Sequence, residues 1–328
     1  MDTELISRLR GRKLEQWEAF LQRAGLTPDP GVETTALLWD EDELIACGSR
    51  QENVLKCIAV DASRQGEGLT ATVMTALRQD AMQAGYRHLF LYTKPQNQTM
   101  FSSLFFYPIA KTDKVLLMEN VKNGIGDFLA GLEVPCKEGN VGAIVMNCNP
   151  FTRGHRWLIE QAAGECDHLY LFILSEDKGM FPASDRLELV KKGTADLKNV
   201  TVHPTGPYLI SSATFPTYFL KDKATAADVH CELDINVFTK YFVPHFGITR
   251  RYLGTEPNCA VTSRYNEVLM ELLPKAGVAL SILDRLQTGD APISASTVRS
   301  LLGQGREEEL HKLVPDTTFD YLKSHNMI

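Results

Sequence analysis

Asn147-Cys148-Asn149-Pro150-Phe151-Thr152-Arg153-Gly154-His155 decides how this chain of 328 residues is read. The run before it, Val141 to Met146, is short and apolar and predicts a buried parallel strand. The run after it, Arg156 to Ala163, predicts a helix. A strand, a tight polar turn and a helix start together make an anion site. The first backbone N–H groups of a helix have no partner inside it, and the helix dipole places positive charge at that end. His155 falls in the first helical turn, beside whatever anion docks there. Gly154 would let the backbone come close to a phosphate, where a β-carbon would obstruct it. Thr152 and His155 can both donate hydrogen bonds to phosphate oxygens. Cys148 is read as a small buried side chain.

A second stretch, Ile293-Ser294-Ala295-Ser296-Thr297-Val298-Arg299, opens a helix near the C-terminus. Ser294 predicts the N-cap, with Ser296 and Thr297 in the first turn. Arg299 adds a permanent positive charge. The Thr-x-Gly-His turn followed by an Ile-Ser-x-Ser-x-x-Arg element resembles the nucleotidylyltransferase superfamily. The resemblance implies ATP as a substrate, with Asn147, Asn149, Pro150, Phe151 and Gly154 around its phosphates. Ser294, Ser296, Thr297 and Arg299 would hold the β- and γ-phosphates.

The rest of the chain narrows the class. The net charge of −7 argues against a general nucleic-acid or membrane binder. No apolar run approaches a membrane span, and Met1-Asp2-Thr3-Glu4-Leu5 is polar and acidic, which predicts a cytoplasmic protein. The seven cysteines form no Cys-x-x-Cys pair, so reduced thiols are expected and no zinc-ligand spacing stands out.

Residues 1–120 predict an α+β domain, 121–140 a linker, and 141–328 an α/β domain. In the first part, strands are expected at Thr34–Trp39, Leu44–Gly48, Val54–Val60, His88–Tyr92 and Val115–Met118. Helices are expected at Leu14–Ala24, Leu69–Ala84 and Asn97–Phe105. This order resembles the N-acetyltransferase (GNAT) fold, with Gly66-Glu67-Gly68 where that fold cradles the CoA pyrophosphate. Two readings stay open there: a working acyl-CoA site, or a retained scaffold or carrier-docking module. In the last part, strands are expected at Gly142–Asn147, Leu169–Leu174, Val200–His203, Arg251–Gly254 and Val278–Leu283, with helices between, including one over Asp228–His245. That alternation predicts a Rossmann-like parallel sheet with ligands beyond the strand C-termini.

More candidates fall at those ends. Lys178 would face the α-phosphate and the acceptor, and Arg186 would either contact phosphate or hold its loop through Asp185 or Glu188. Gly254-Thr255-Glu256 would lie against adenine and ribose. The hydroxyl- and aromatic-rich segment Tyr208–Phe219 suits a small carboxylate, or equally a buried helix start.

Taken together with Phe181-Pro182, Gly193-Thr194-Ala195-Asp196 and Ala213-Thr214-Phe215-Pro216, these motifs resemble the citrate lyase ligase family over nearly the whole chain. The resemblance implies an acid–thiol ligase using ATP, Mg²⁺ and acetate. It would acetylate the CoA-like prosthetic group on the acyl-carrier subunit of citrate lyase through acetyl-AMP. Thr152, His155, Lys178 and Arg299 would be its catalytic residues. The alternative is another adenylyltransferase, acting on phosphopantetheine or nicotinamide mononucleotide.

Overall fold

A computed structural model describes the chain except for Lys178, residues 210–214, Pro216, Phe219, residues 221–222, 256–259 and 289–290. The side chains of 223–226, 260–263 and 291 also lie outside the described set. The chain forms two compact units, Met1–Ile125 with Phe215–Asn236, and Gly126–Thr214 with Val237–Ile328. A return of the chain to the first unit was no part of the sequence reading.

The first unit runs β1 (Asp2–Ser7), α1 (Gly11–Arg23), β2 (Thr34–Asp40), β3 (Glu43–Gln51), β4 (Val54–Val60), α2 (Leu69–Gln83), β5 (Phe90–Thr93), α3 (Gln98–Ser103), β6 (Tyr107–Lys111) and β7 (Leu116–Glu119). Its sheet has the order β1-β2-β3-β4-β5-β7-β6, antiparallel except for β4 beside β5. α2 buries Leu69, Val73, Met74, Leu77 and Ala81 on one face against the sheet. Gly48 permits that approach, because a β-carbon there would meet Val73 at 2.6 Å. Sequence reading missed β1 and β6. β1 alternates exposed and half-buried residues without a strong apolar face, and β6 begins Tyr107-Pro108, a breaker pattern.

The second unit follows α4 (Gly124–Ala130): β8 (Val141–Met146), α5 (Arg153–Glu165), β9 (His168–Ile173), α6 (Ala183–Gly193) and β10 (Val200–Pro204). Next come α7 (Lys223–Val237), largely in the first unit, a π-helical turn (Phe238–Phe242) and α8 (Val243–Phe246). β11 (Arg250–Gly254), α9 (Ala260–Lys275) and β12 (Ala279–Leu283) complete the alternation. A two-residue hairpin pair, β13 (Gln287–Thr288) and β14 (Ala291–Pro292), leads to α10 (Ala295–Leu301), α11 (Glu307–Leu313) and α12 (Asp316–Ser324). The helix expected over Asp228–His245 is thus one continuous helical run with a π-helical turn in its middle.

The second sheet is parallel in the order β10-β9-β8-β11-β12. Its first strand, β8, lies in the middle. The chain winds outward to β9 and β10, then returns to the other side of β8 as β11. A crevice opens beyond the strand ends where winding reverses, between β8 and β11. Helix α5 covers β8 through Ile159, Ala162 and Ala163 in one core. A second core joins Phe181, just before α6, to Val298, Leu301, Leu310, Val314 and Leu322 of the last three helices and their joins. That packing carries the start of α10 to the same edge of the sheet. No helix among the described residues is long and apolar enough to cross a membrane.

Candidate nucleotide site

β8 ends at Met146 and α5 begins at Arg153, so Asn147–Thr152 form the turn at the switch point. Thr152 caps α5: its hydroxyl accepts from the His155 backbone N–H at 3.3 Å. His155 reciprocates, its Nδ1 accepting from the Thr152 N–H at 3.1 Å. This is a capping box with histidine in the place usually taken by Glu or Gln. With Nδ1 held as an acceptor, the proton of the neutral ring belongs on Nε2. Burial pushes the His155 pKa down to about 4, and the positive charge of Arg285 adds to the effect. Near neutral pH the ring is therefore uncharged and carries one N–H donor. Thr152 is 1% exposed, so its hydroxyl is committed to the cap. Phe151 is fully buried and stacks on the imidazole with centroids 6.1 Å apart, which fixes the ring's plane.

The two signature stretches meet at Gly154. A β-carbon there would lie 3.0 Å from the Ile293 carbonyl oxygen, so the close neighbour that glycine admits is the second motif itself. Ser294 caps α10, accepting from the Thr297 N–H at 3.1 Å. Its hydroxyl is 2.9 Å from that of Ser296 and 2.8 Å from that of Thr297, a cluster of three hydroxyls at one helix start. Arg299 donates to the Asn149 carbonyl and ties α10 to the β8–α5 turn.

Arg186 is 1% exposed and works as a clasp. It donates to the Phe181 carbonyl at 3.1 Å, to the carbonyl and side-chain oxygens of Asn147 at 2.7 and 2.6 Å, and to the Glu176 carbonyl. Four of its five N–H groups are therefore used on two loops, and neither Asp185 nor Glu188 is among the acceptors. Asn149 adds a strut: its side-chain oxygen accepts from the Phe181 N–H at 3.1 Å. Gly179 packs against the Asn149 amide so closely that a β-carbon would collide with it. Pro150 is buried and Asn147 exposed at the crevice. Cys148 is 1% exposed, and burial holds its thiol well above the usual range. Lys178 lies outside the described residues.

The other wall is the end of β11. The Thr255 N–H donates to the Leu283 carbonyl at 2.9 Å, and the Thr255 carbonyl accepts from Arg285 Nε at 2.6 Å. Asn266 donates to the Gly254 carbonyl at 3.3 Å. A β-carbon at Gly254 would stand 3.8 Å from Arg285 and Leu158, ordinary contact, so this glycine is not needed for close approach. Glu256 lies outside the described residues. Arg285 is the residue that sequence reasoning passed over. It follows β12 by two residues, and a cation just past a parallel strand is a legible signal.

The remaining motifs are supports. Asp196 binds Arg156 of α5 with both oxygens, at 2.6 and 2.7 Å, and that pair holds the Asp196 carboxyl at about 2. A β-carbon at Gly193 would collide with Phe151. In the segment Tyr208–Phe219, residues 210–214 are outside the described set. Phe215 and Tyr218 belong to the first unit, where Phe215 packs edge-on to Tyr92.

The crevice thus offers two helix starts, a clustered hydroxyl group, two arginines and a neutral histidine donor. That set suits a polyanion such as a triphosphate. Among the described residues no group of three or more His, Cys, Asp or Glu side chains is placed to hold a metal ion.

Residues 141–322 match the model of the citrate lyase ligase C-terminal domain, and residues 6–102 match the acetyltransferase (GNAT) family. A citrate (pro-3S)-lyase ligase of Klebsiella pneumoniae is 41% identical over 314 residues, 94% of this chain and 92% of the relative. One of Escherichia coli is 39% identical over 326 residues, 97% of this chain and 93% of the relative. A phosphopantetheine adenylyltransferase of Corynebacterium diphtheriae is 26% identical over 153 residues, 43% of this chain and 94% of the relative. The family model spans more than half of the chain and the ligase relatives nearly all of it, so the chain belongs to the citrate lyase ligase family.

Proposed function

We propose that this protein uses ATP and acetate to acetylate the thiol of the prosthetic group on the citrate lyase acyl-carrier subunit, releasing AMP and pyrophosphate. The observation that carries this reading is the joining of the Thr152–His155 capping box to the Ser294–Arg299 turn at one sheet edge. Relatives that share both units are ligases, whereas the phosphopantetheine adenylyltransferase relative matches less than half of the chain.

Acetate oxygen attacks the α-phosphorus in line and pyrophosphate departs, leaving acetyl-AMP for the carrier thiol. Such a transfer needs positioning and charge neutralisation more than proton transfer. His155 donates from Nε2 to an α- or β-phosphate oxygen, and its depressed pKa keeps it a donor without a change of charge state. Thr152 orients His155. The hydroxyls of Ser294, Ser296 and Thr297 and the N–H groups of their turn take the departing pyrophosphate, with Arg299 beside them. Lys178, assigned by its place in the sequence alone, would bridge acetate and the α-phosphate. Gly254 and Thr255 line the adenosine side, where Glu256 is assigned by sequence alone, and Arg285 adds charge between that wall and His155. Mg²⁺, carried in on the triphosphate oxygens, would neutralise part of their charge.

ATP–pyrophosphate exchange without carrier protein tests the reading. Acetate-dependent exchange is expected. Formation of a stable dinucleotide with phosphopantetheine, and no exchange with acetate, would sink it.

A further inference from the structure

Arg251 is a buried charge that the mechanism leaves unused. It lies on β11 and is 1% exposed, and an arginine inside a protein keeps its charge. Among the described residues its Nη2 donates to the Tyr265 hydroxyl at 3.1 Å, a neutral partner, and its Nε and Nη1 have none. Its guanidinium carbon stands 4.6 Å from the ring centroid of Phe238 and 5.9 Å from that of Tyr265. Those rings ease the charge without neutralising it. Buried polar groups are ordinarily paired, and a buried cation without an anion is costly. Two other buried cations obey that rule: Arg50 meets Glu33 and Asp80, and Lys56 meets Asp29.

The place of Arg251 points to what would complete it. The described ladder between β8 and β11 ends at Arg251↔Ala143, although β8 runs on to Met146 and β11 to Gly254. Arg251 is therefore the last paired residue before both strands run on toward the crevice. It faces away from Tyr252, which packs in the core under α5, because successive strand residues alternate in face. Its side chain leans toward the crevice end. Asn266 donates to the carbonyl of Gly254, the last residue of β11, and Tyr265 precedes Asn266 on α9. Helix side chains tilt toward the helix N-terminus, which for α9 is the crevice end. A guanidinium that reaches the Tyr265 hydroxyl is drawn the same way. On β8 its paired neighbour is Ala143, small and buried, and the next residue on that face is Val145, half-buried. One unneutralised charge among aromatic and aliphatic neighbours suits one small monoanion with a short apolar tail. A guanidinium pairs with a carboxylate more strongly than with a neutral acceptor. A triphosphate is too large and too highly charged for such a place, and suits the two helix starts instead.

Building on the ligase reading, we infer that Arg251 holds the carboxylate of acetate at the edge of the crevice, with Tyr265 fixing the guanidinium and Phe238 packed against it. One carboxylate oxygen stays on the guanidinium and the other is left for the α-phosphorus. Arg251 is then the residue that selects a small carboxylate as acceptor, a choice that the phosphate-binding motifs leave open.

Thermal melting of the full chain in sodium acetate against sodium chloride at equal ionic strength, with and without α,β-methylene-ATP, tests this beside exchange kinetics. Acetate should raise the melting midpoint of the unaltered chain, and Arg251→Met should abolish that rise. Removing a merely structural arginine would lower the midpoint, whereas removing an unpaired one should leave it level or higher in chloride. In exchange, Arg251→Met should raise the acetate KM by about tenfold or more, the scale for losing a charged hydrogen bond, with the ATP KM unchanged. Tyr265→Phe keeps the ring, so it carries the test if the methionine variant does not fold, and it too should raise the acetate KM and spare that of ATP. No acetate-specific rise under either nucleotide condition would overturn the proposal and leave the donors to buried water. So would an equal rise in Arg251→Met, or an unchanged acetate KM in the folded variants. An unaltered chain that exchanges with acetate but fails these tests loses this inference alone. One whose acetate-specific rise depends on Arg251 but which shows no exchange loses only the ligase reading.

Discussion

His155 carries two duties that substitution can separate. As the partner of Thr152 it completes a helix cap, and in the proposed mechanism its neutral Nε2–H is the donor to phosphate. His155→Ala should lose about 1 kcal/mol of stability from the cap. It should lose about 10²–10³-fold in acetate-dependent exchange, the scale for deleting one oriented donor. Urea unfolding beside exchange kinetics reads both, and near-wild-type exchange would remove His155 from the mechanism. Its titration has a sign. Unfolded, the ring titrates near 6.5, and folded, at about 4. Between those values the unfolded chain binds more protons, so this contribution is complete above pH 6.5 and is lost as pH falls toward 4. His168, His203 and His245 are shifted down by burial as well and act in the same direction. Unfolding free energy should therefore fall between pH 7 and 4.5, and His155→Gln should flatten the slope by no more than about 3 kcal/mol across the range. Gly154→Ala sets two effects against each other. Alanine favours a helix by up to about 1 kcal/mol, but its methyl would press on the Ile293 carbonyl. The expected result is weaker ATP binding with little loss of thermal stability, read by nucleotide titration and calorimetry.

The elements show what a sequence discloses and what it withholds. The β8–turn–α5 unit was legible because an apolar run, a polar turn and a cap succeed one another within a few residues, and so was the Ser294 cap. Arg186 was harder. Its charge and its place at a helix start fit phosphate contact, but its acceptors are carbonyls on residues far apart in sequence, which no local pattern reveals. Arg285 was missed because its neighbours in space, Thr255 and His155, come from other strands and turns. The π-helical turn at Phe238–Phe242 inside the expected helix stands just ahead of Pro244, whose missing N–H disturbs the hydrogen-bond ladder without ending the helix. Since Arg186 fastens two loops from inside, Arg186→Met should leave several carbonyls without donors. We expect a loss of about 3 kcal/mol in denaturant unfolding together with reduced exchange. An unchanged unfolding midpoint would show that the clasp is dispensable.

At the scale of the whole molecule, the unit boundaries do not follow the chain. The first unit takes its last segment, Phe215–Asn236, from beyond β10. Tyr218 and Phe215 supply buried contacts that residues 1–125 lack by themselves. A fragment of residues 1–125 should accordingly melt lower than the first unit in the full chain, and adding the 215–236 peptide should raise its melting temperature. No response to the peptide would mean that the returning segment is a passenger. The interleaving also sets a timetable for birth. On a ribosome, domains ordinarily close in the order in which they emerge. Here the seven strands of the first sheet are all synthesised before the second unit begins, while the piece that covers Tyr92 waits for about ninety further residues, a gap between Ile125 and Phe215. The nascent first unit therefore passes through synthesis with that place bare, and the half made first is the one that cannot be finished until the other is well under way.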